Sequence, residues 1–121
     1  MRRGRPEDLQ RLWQLDQICF EPGIAYSRAE LRRFLALPGA VCLVAEGPDA
    51  IEGFALGYAD PPDLARVVTL DVHPSARRRG IGQELLERLL AELAASGATR
   101  PVLEVDVRNT GAIAFYRRLG F

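Results

Sequence analysis

At 121 residues the chain is one domain, residues 1–121, with room for a single hydrophobic core. Sixteen basic and sixteen acidic side chains cancel, which argues against bulk nucleic acid as the main partner. No apolar run approaches the ~20 residues that span a bilayer, and the basic start MRRGRPEDLQ lacks the apolar segment of a secretory signal, so a cytoplasmic protein with no membrane partner is expected.

Arg2 to Arg5 reads as a short edge strand. From Pro6 the pattern turns helical: Pro6 suits a first turn, Glu7 and Asp8 favour the positive end of a helix, and Leu9, Leu12, Trp13, Cys19 and Phe20 share one face. Asp16 falls on that same face, which is unexpected for a carboxylate and calls for a local hydrogen bond or ion pair. Glu21 to Tyr26, with Pro22 and Gly23, is a loop. Ser27-Arg28-Ala29-Glu30 is a capping box that opens a second helix, with Leu31, Phe34 and Leu35 facing inward and Pro38-Gly39 as its stop. Cys19 and Cys42 lack CxxC spacing and share the chain with one histidine, so they read as reduced core residues, with no metal site.

Three strands are predicted next. Val41 to Glu46 and Gly53 to Ala59 are joined by the turn-rich Gly47-Pro48-Asp49, which suggests a hairpin. After the surface loop Asp60-Pro61-Pro62-Asp63, Arg66 to Val72 is apolar on both faces, as expected for an interior strand. His73 before Pro74 sits in a turn and reads as structural. A helix from Gly80 carries Ile81, Leu85, Leu86, Leu89, Leu90 and Leu93 and stops at Ser96-Gly97. Pro101 to Val107 is a further strand; Asn109 can cap a last helix, Thr110 to Arg118, with Gly120 as its left-handed stop. The order is (β)ααβββαβα, a mixed α/β fold. The strand–helix–strand unit from Arg66 to Val107 makes its two strands parallel and places ligands beyond their carboxyl ends.

The run TLDVHPSARRRGIGQELLERLL, Thr69 to Leu90, is the wiring of a strand feeding a glycine turn that opens a helix. A helix start has unpartnered N–H groups and a partial positive charge, and glycines let a phosphate approach the backbone. A dinucleotide fingerprint would need a third small residue where Leu85 stands, and a nucleotide-hydrolase loop would need Gly-Lys-Ser/Thr where Gly82-Gln83-Glu84 stands. Both fail.

What remains is Arg77-x-x-Gly80-x-Gly82, followed by Asn109-x-x-Ala112-x-x-x-Tyr116 and Arg118-Leu119-Gly120-Phe121. These motifs and the element order resemble the GCN-type N-acetyltransferase (GNAT) superfamily. Within it, Leu103-Glu104-Val105 is most similar to the ribosomal-protein alanine N-acetyltransferases. The resemblance implies a mixed central sheet flanked by helices and acetyl-CoA as cosubstrate, with no metal. It implies a primary amine as acceptor, foremost a protein N-terminal α-amine. A small-molecule amine acetyltransferase and a non-catalytic acyl-CoA-binding domain are the alternatives. It assigns pantetheine contacts to the backbone of Leu70 and Val72 and to Asn109, with the Val72 N–H as oxyanion donor. It assigns phosphate binding to Arg77, Arg78, Arg79, Gly80 and Gly82, the base to Glu104 and the acid to Tyr116. Their structural alternatives are a solvated arginine run, an arginine-paired glutamate and a core tyrosine. Acceptor choice is expected to lie with the loops Glu21–Tyr26 and Asp60–Ala65.

The family continues past its Leu-Gly-Phe with two further strands, whereas this sequence stops at Phe121; it is either a partial chain or one whose acceptor groove is built differently. Without those strands the Pro101 strand is an open edge, which invites pairing with a second copy. Homodimerisation or poor solubility is therefore expected, and light scattering that finds a clean monomer at high concentration would contradict it.

Overall fold

The computed structural model describes all 121 residues. Five strands, β1 (Arg2–Arg3), β2 (Ala40–Glu46), β3 (Ile51–Asp60), β4 (Leu64–Val72) and β5 (Arg100–Leu103), form one sheet in the order β1-β2-β3-β4-β5. Every neighbouring pair is antiparallel except β4 and β5, which are parallel. Helices α1 (Leu9–Cys19) and α2 (Arg28–Leu35) precede β2, α3 (Ile81–Ala95) connects β4 to β5, and α4 (Thr110–Arg118) closes the chain. The element order is the one read from the sequence.

Local chemistry sets the helix starts. The Ser27 Oγ accepts the Glu30 N–H at 3.1 Å while Glu30 Oε1 accepts the Ser27 N–H at 3.0 Å, a closed capping box. The first helix is preceded by a short 3₁₀ turn, Pro6–Asp8, because the Asp8 carboxylate accepts the Arg5 N–H at 2.7 Å and is clamped by the Arg2 guanidinium. That same arginine holds Glu46 at the end of β2. The guanidinium also keeps the Asp8 carboxyl below its ordinary range.

The sheet has a core on each face. Leu85, Leu86, Leu89 and Leu93 of α3 pack with Val41, Leu43, Ala55 and Val67 on one side. Leu12, Leu15 and Leu31 pack with Val44, Phe54 and Leu56 on the other. Helix α3 sits close because β3 has glycines beneath it. A Cβ on Gly57 would come within 2.7 Å of the Arg66 carbonyl oxygen and 3.2 Å of Leu89 Cδ2.

Two departures from the sequence reading create the site. The register of β4 against β3 pairs Leu56 with Thr69 and Gly57 with Val67, so Val68 is an extra, bulged residue. A bulge puts two successive side chains on one face, so the alternation beyond it is inverted: Val67 and Leu70 face α3, whereas between them Val68 packs against the α1 core and Thr69 turns the same way, its hydroxyl on Asp71. The last strand is also shorter than Pro101–Val107: β5 ends at Leu103. Asp106 stops it by accepting the Arg108 N–H at 2.9 Å on Oδ1 and the Asn109 N–H at 2.8 Å on its carbonyl, which folds the chain into a turn and leaves Val107 exposed. Glu104 therefore lies just past the strand instead of on it.

Replacing Gly57 by valine should lower stability by about 1–3 kcal/mol through overpacking. Truncating the fully buried Leu89 to alanine should cost about 2–5 kcal/mol. Both are read from the urea midpoint at unchanged denaturant slope.

Candidate active site

Strand β4 pairs with β5 only from Leu64 to Val67. Beyond that point the two strands part, and the carboxyl-terminal half of β4 has no neighbour on that edge. The His73 N–H bonds the Glu52 carbonyl at 2.7 Å on the β3 side, so alternation turns the N–H and C=O groups of Leu70 and Val72 toward the parting. The side-chain contacts agree: the Val72 carbonyl accepts from Cys19 Sγ at 3.4 Å and from Arg77 Nε at 3.0 Å. The parting opens a cleft of about 370 Å³ lined by Tyr26, Leu70, Glu104, Asn109 and Tyr116 among others, within the ~300–1,000 Å³ typical of small-molecule sites.

At the end of β4 the chain makes a 3₁₀ turn, Pro74–Ala76, in which His73 Nδ1 accepts the Ser75 N–H, so His73 is structural. Arg78 and Gly80 then take left-handed backbone angles, φ 68° and φ 77°. No backbone N–H from Arg77 to Gln83 finds a backbone acceptor. The first helical bond of α3 is Glu84 N–H to the Gly80 carbonyl. This is a row of free donors at the positive end of a fifteen-residue helix, suited to a phosphate.

The two glycines differ. A side chain at Gly80 would meet nothing, so its requirement is the positive φ. Gly82 is buried, and a Cβ there would stand 3.3 Å from both Phe115 and Val72, so it lets α3 approach β4 and α4. The three arginines differ too. Arg77 holds the Val72 carbonyl, Arg79 pairs with Glu52 at 3.2 Å, and Arg78 has no carboxylate partner.

Asn109 caps α4 by accepting the Ala112 N–H at 3.1 Å on Oδ1, which leaves its amide N–H groups free. Tyr116, two turns on, faces the same cleft; burial pushes its hydroxyl up to about 12, so it keeps its proton at neutral pH. Glu104 is largely exposed and accepts from Arg66 Nη1 at 3.0 Å, while Arg66 Nε is held by Asp60 at 2.6 Å. The arginine pairing considered as its structural role is thus present, at a residue that also lines the cleft.

The structure brings Leu70, Glu104, Asn109 and Tyr116 into one cleft, with the Val72 backbone turned toward it; Arg77 through Gly82 form the neighbouring turn. The Glu21–Tyr26 loop contributes Gly23, Ile24 and Tyr26 to the wall. The Asp60–Ala65 segment does not: it is the hairpin turn at the opposite end of β4, and reaches the cleft only through the Asp60–Arg66–Glu104 chain. Asp71 carries no signal in the sequence. It is fully buried beside Asp16, and an acidic residue in a strand whose next turn is basic gave no sign of that.

Residues 9–121 match the acetyltransferase (GNAT) family. The chain is 35% identical over 118 residues to the N-alpha-acetyltransferase RimI of Mycobacterium tuberculosis, covering 94% of this chain and 72% of the relative. It is 34% identical over 109 residues to the mycothiol acetyltransferase of Gordonia bronchialis, covering 90% of this chain but 33% of that protein. The chain thus spans about a third of the length of some of the curated relatives it matches. The crystal structure of the ribosomal-protein-S18-alanine N-acetyltransferase from Escherichia coli superposes with a TM-score of 0.81 at 25% identity, covering 98% of this chain and 74% of that one. With a sheet that parts between β4 and β5 above a glycine turn, and a family match over nearly its whole length, the chain belongs to the acetyltransferase (GNAT) family.

Proposed function

We propose that this protein is an acetyl-CoA-dependent N-acetyltransferase acting on a primary amine, and that the amine is a protein N-terminal α-amine. The observation that carries the reading is the unpaired edge of β4 running directly into a row of free N–H donors. A ligand that suits both must offer amide groups along one part and an anion at its end, and CoA does.

In this reading the main-chain groups of Leu70 pair with the amides of the pantetheine arm and the Val72 N–H faces its thioester end, the Val72 carbonyl being held by Arg77 Nε and Cys19 Sγ; the free amide of Asn109 adds a further contact. The N–H groups of Arg79, Gly80 and Gly82 hold the pyrophosphate, with the unpaired Arg78 guanidinium and its neighbours Arg77 and Arg79 adding charge. When bound, the thioester supplies the activated acetyl group. The protein supplies the rest. The Val72 N–H lies where negative charge develops on the carbonyl oxygen and stabilises it. An α-ammonium, with a pKa near ~8, must lose a proton before it attacks. Glu104, oriented by Arg66, takes that proton directly or through water; an exposed ion pair is worth at most about 1 kcal/mol, so Arg66 steers Glu104 without locking it. Tyr116, protonated at neutral pH, gives its proton to the departing sulfur. The likeness to RimI supports a protein N-terminus. The likeness to mycothiol acetyltransferase supports a small-molecule amine as the second reading.

Calorimetric titration with acetyl-CoA should give saturable binding, and Arg78→Ala should weaken it by about tenfold through loss of a charge-assisted contact; no binding at millimolar acetyl-CoA would overturn the proposal. Glu104→Gln and Tyr116→Phe should each lower kcat by about a hundredfold or more with acetyl-CoA binding intact. Mass spectrometry of a panel of N-terminal peptides and small amines then identifies the acceptor. Binding by the wild type without turnover on any amine would make this an acyl-CoA-binding domain instead.

A further inference from the structure

The chemistry above leaves unused two carboxyl groups that are both fully excluded from solvent, Asp16 on α1 and Asp71 on β4. The bulge at Val68 brings them together by turning Asp71 toward α1. They lie within hydrogen-bond reach of each other. Asp16 Oδ2 accepts the Tyr26 N–H at 2.7 Å, and Asp71 Oδ1 accepts the Thr69 hydroxyl at 2.5 Å. The other oxygen of each, Asp16 Oδ1 and Asp71 Oδ2, has no further partner.

Two ionised carboxylates in contact in a dry site would repel each other, and each would hold an unsatisfied charge. No salt bridge reaches either. The titratable groups facing the pair are Cys19 on α1, Glu30 on α2, Cys42 on β2, Tyr26 in the loop, Tyr116 on α4 and Arg77 after β4. Arg77 is the sole cation among them, and its Nε is committed to the Val72 carbonyl. One proton between the carboxyls removes the repulsion and satisfies both spare oxygens.

We propose that Asp16 and Asp71 share a single proton at neutral pH, with Asp71 donating to Asp16, and that this bond latches the Glu21–Tyr26 loop to β4 and so positions the acceptor wall of the cleft. Asp16 is the acceptor because it also receives the Tyr26 peptide N–H, a contact that favours its charged form. Burial, then the contact with Asp16, holds the Asp71 carboxyl well above the ordinary carboxylate range. The folded chain thus keeps a proton that the unfolded chain releases near ~4. The stabilisation is complete below that pH and declines as pH rises through the upper titration of the pair. When the proton leaves, two adjacent buried charges drive Asp16 and the loop it anchors away from β4. Asp16 and Asp71 are positioning residues, acting through Tyr26.

The link to acceptor binding rests on the acetyl-transfer reading; the shared proton and the latch do not. The wild type should show a protonated-carboxyl C=O band in its infrared spectrum at neutral pH, and Asp71→Asn should abolish it. Hydrogen exchange of the Tyr26 amide should accelerate above the upper titration by roughly tenfold per pH unit beyond intrinsic base catalysis. In Asp71→Asn, whose side-chain amide donates to Asp16 without titrating, that extra acceleration should vanish. The ratio of acceptor KM in the wild type to that in Asp71→Asn should rise with pH, at similar kcat, because titration of the amine itself is common to both. Should that variant fold poorly, Asp16→Asn tests the same bond from the other side, and the infrared band is read on the wild type alone. Absence of the band, or the same pH dependence of Tyr26 exchange in wild type and variant, overturns the latch. Absence of turnover with band and exchange as expected overturns the enzyme reading instead.

Discussion

The structure depends on how far β4 stays paired. On one side β3 accompanies it from Leu64 to Val72; on the other β5 accompanies it only to Val67. Backbone polar groups inside a sheet are ordinarily consumed by neighbouring strands. Here half of one edge has no neighbouring strand, side chains taking only the Val68 and Val72 carbonyls, and the Asp106 turn that ends β5 is what leaves it so. Those main-chain groups give the cleft a fixed set of donors and acceptors that needs no special side chain.

The glycine turn extends the same logic around the end of the strand. Its free N–H groups follow the end of β4 in the chain, where Gly80 takes a left-handed conformation and Gly82 lets α3 seat against Val72 and Phe115. One glycine is there for backbone shape and the other for close packing. Of the three adjacent arginines, two are tied to the scaffold, to the Val72 carbonyl and to Glu52. The charge run is therefore part framework and part available charge.

Electrostatics divide the cleft in two. The glycine-turn side is built from exposed cations and helix-end dipoles. The loop side is held by acidic groups: Asp60 sets Arg66, which sets Glu104, and buried Asp16 holds Tyr26. The exposed chain leaves Glu104 at the surface of the cleft, whereas the buried pair lies where α1 meets β4.

The sequence determined a good deal by itself. The order of elements, the Ser27–Glu30 capping box, the β2–β3 hairpin, the parallel β4–β5 pair and the glycine turn all follow from local periodicity and turn chemistry, which act over a few residues. Asp16 was visible as an anomaly, a carboxylate on an apolar face, though its partner was not. Only the tertiary structure decided the bulge at Val68, the early end of β5, the different duties of Gly80 and Gly82, and the meeting of Asp16 with Asp71. Each depends on register or on contact between segments far apart in sequence. A shift of one residue in the pairing of β4 turns Asp71 to the opposite face of the sheet, and nothing in the alternation of side chains along β4 announces that shift.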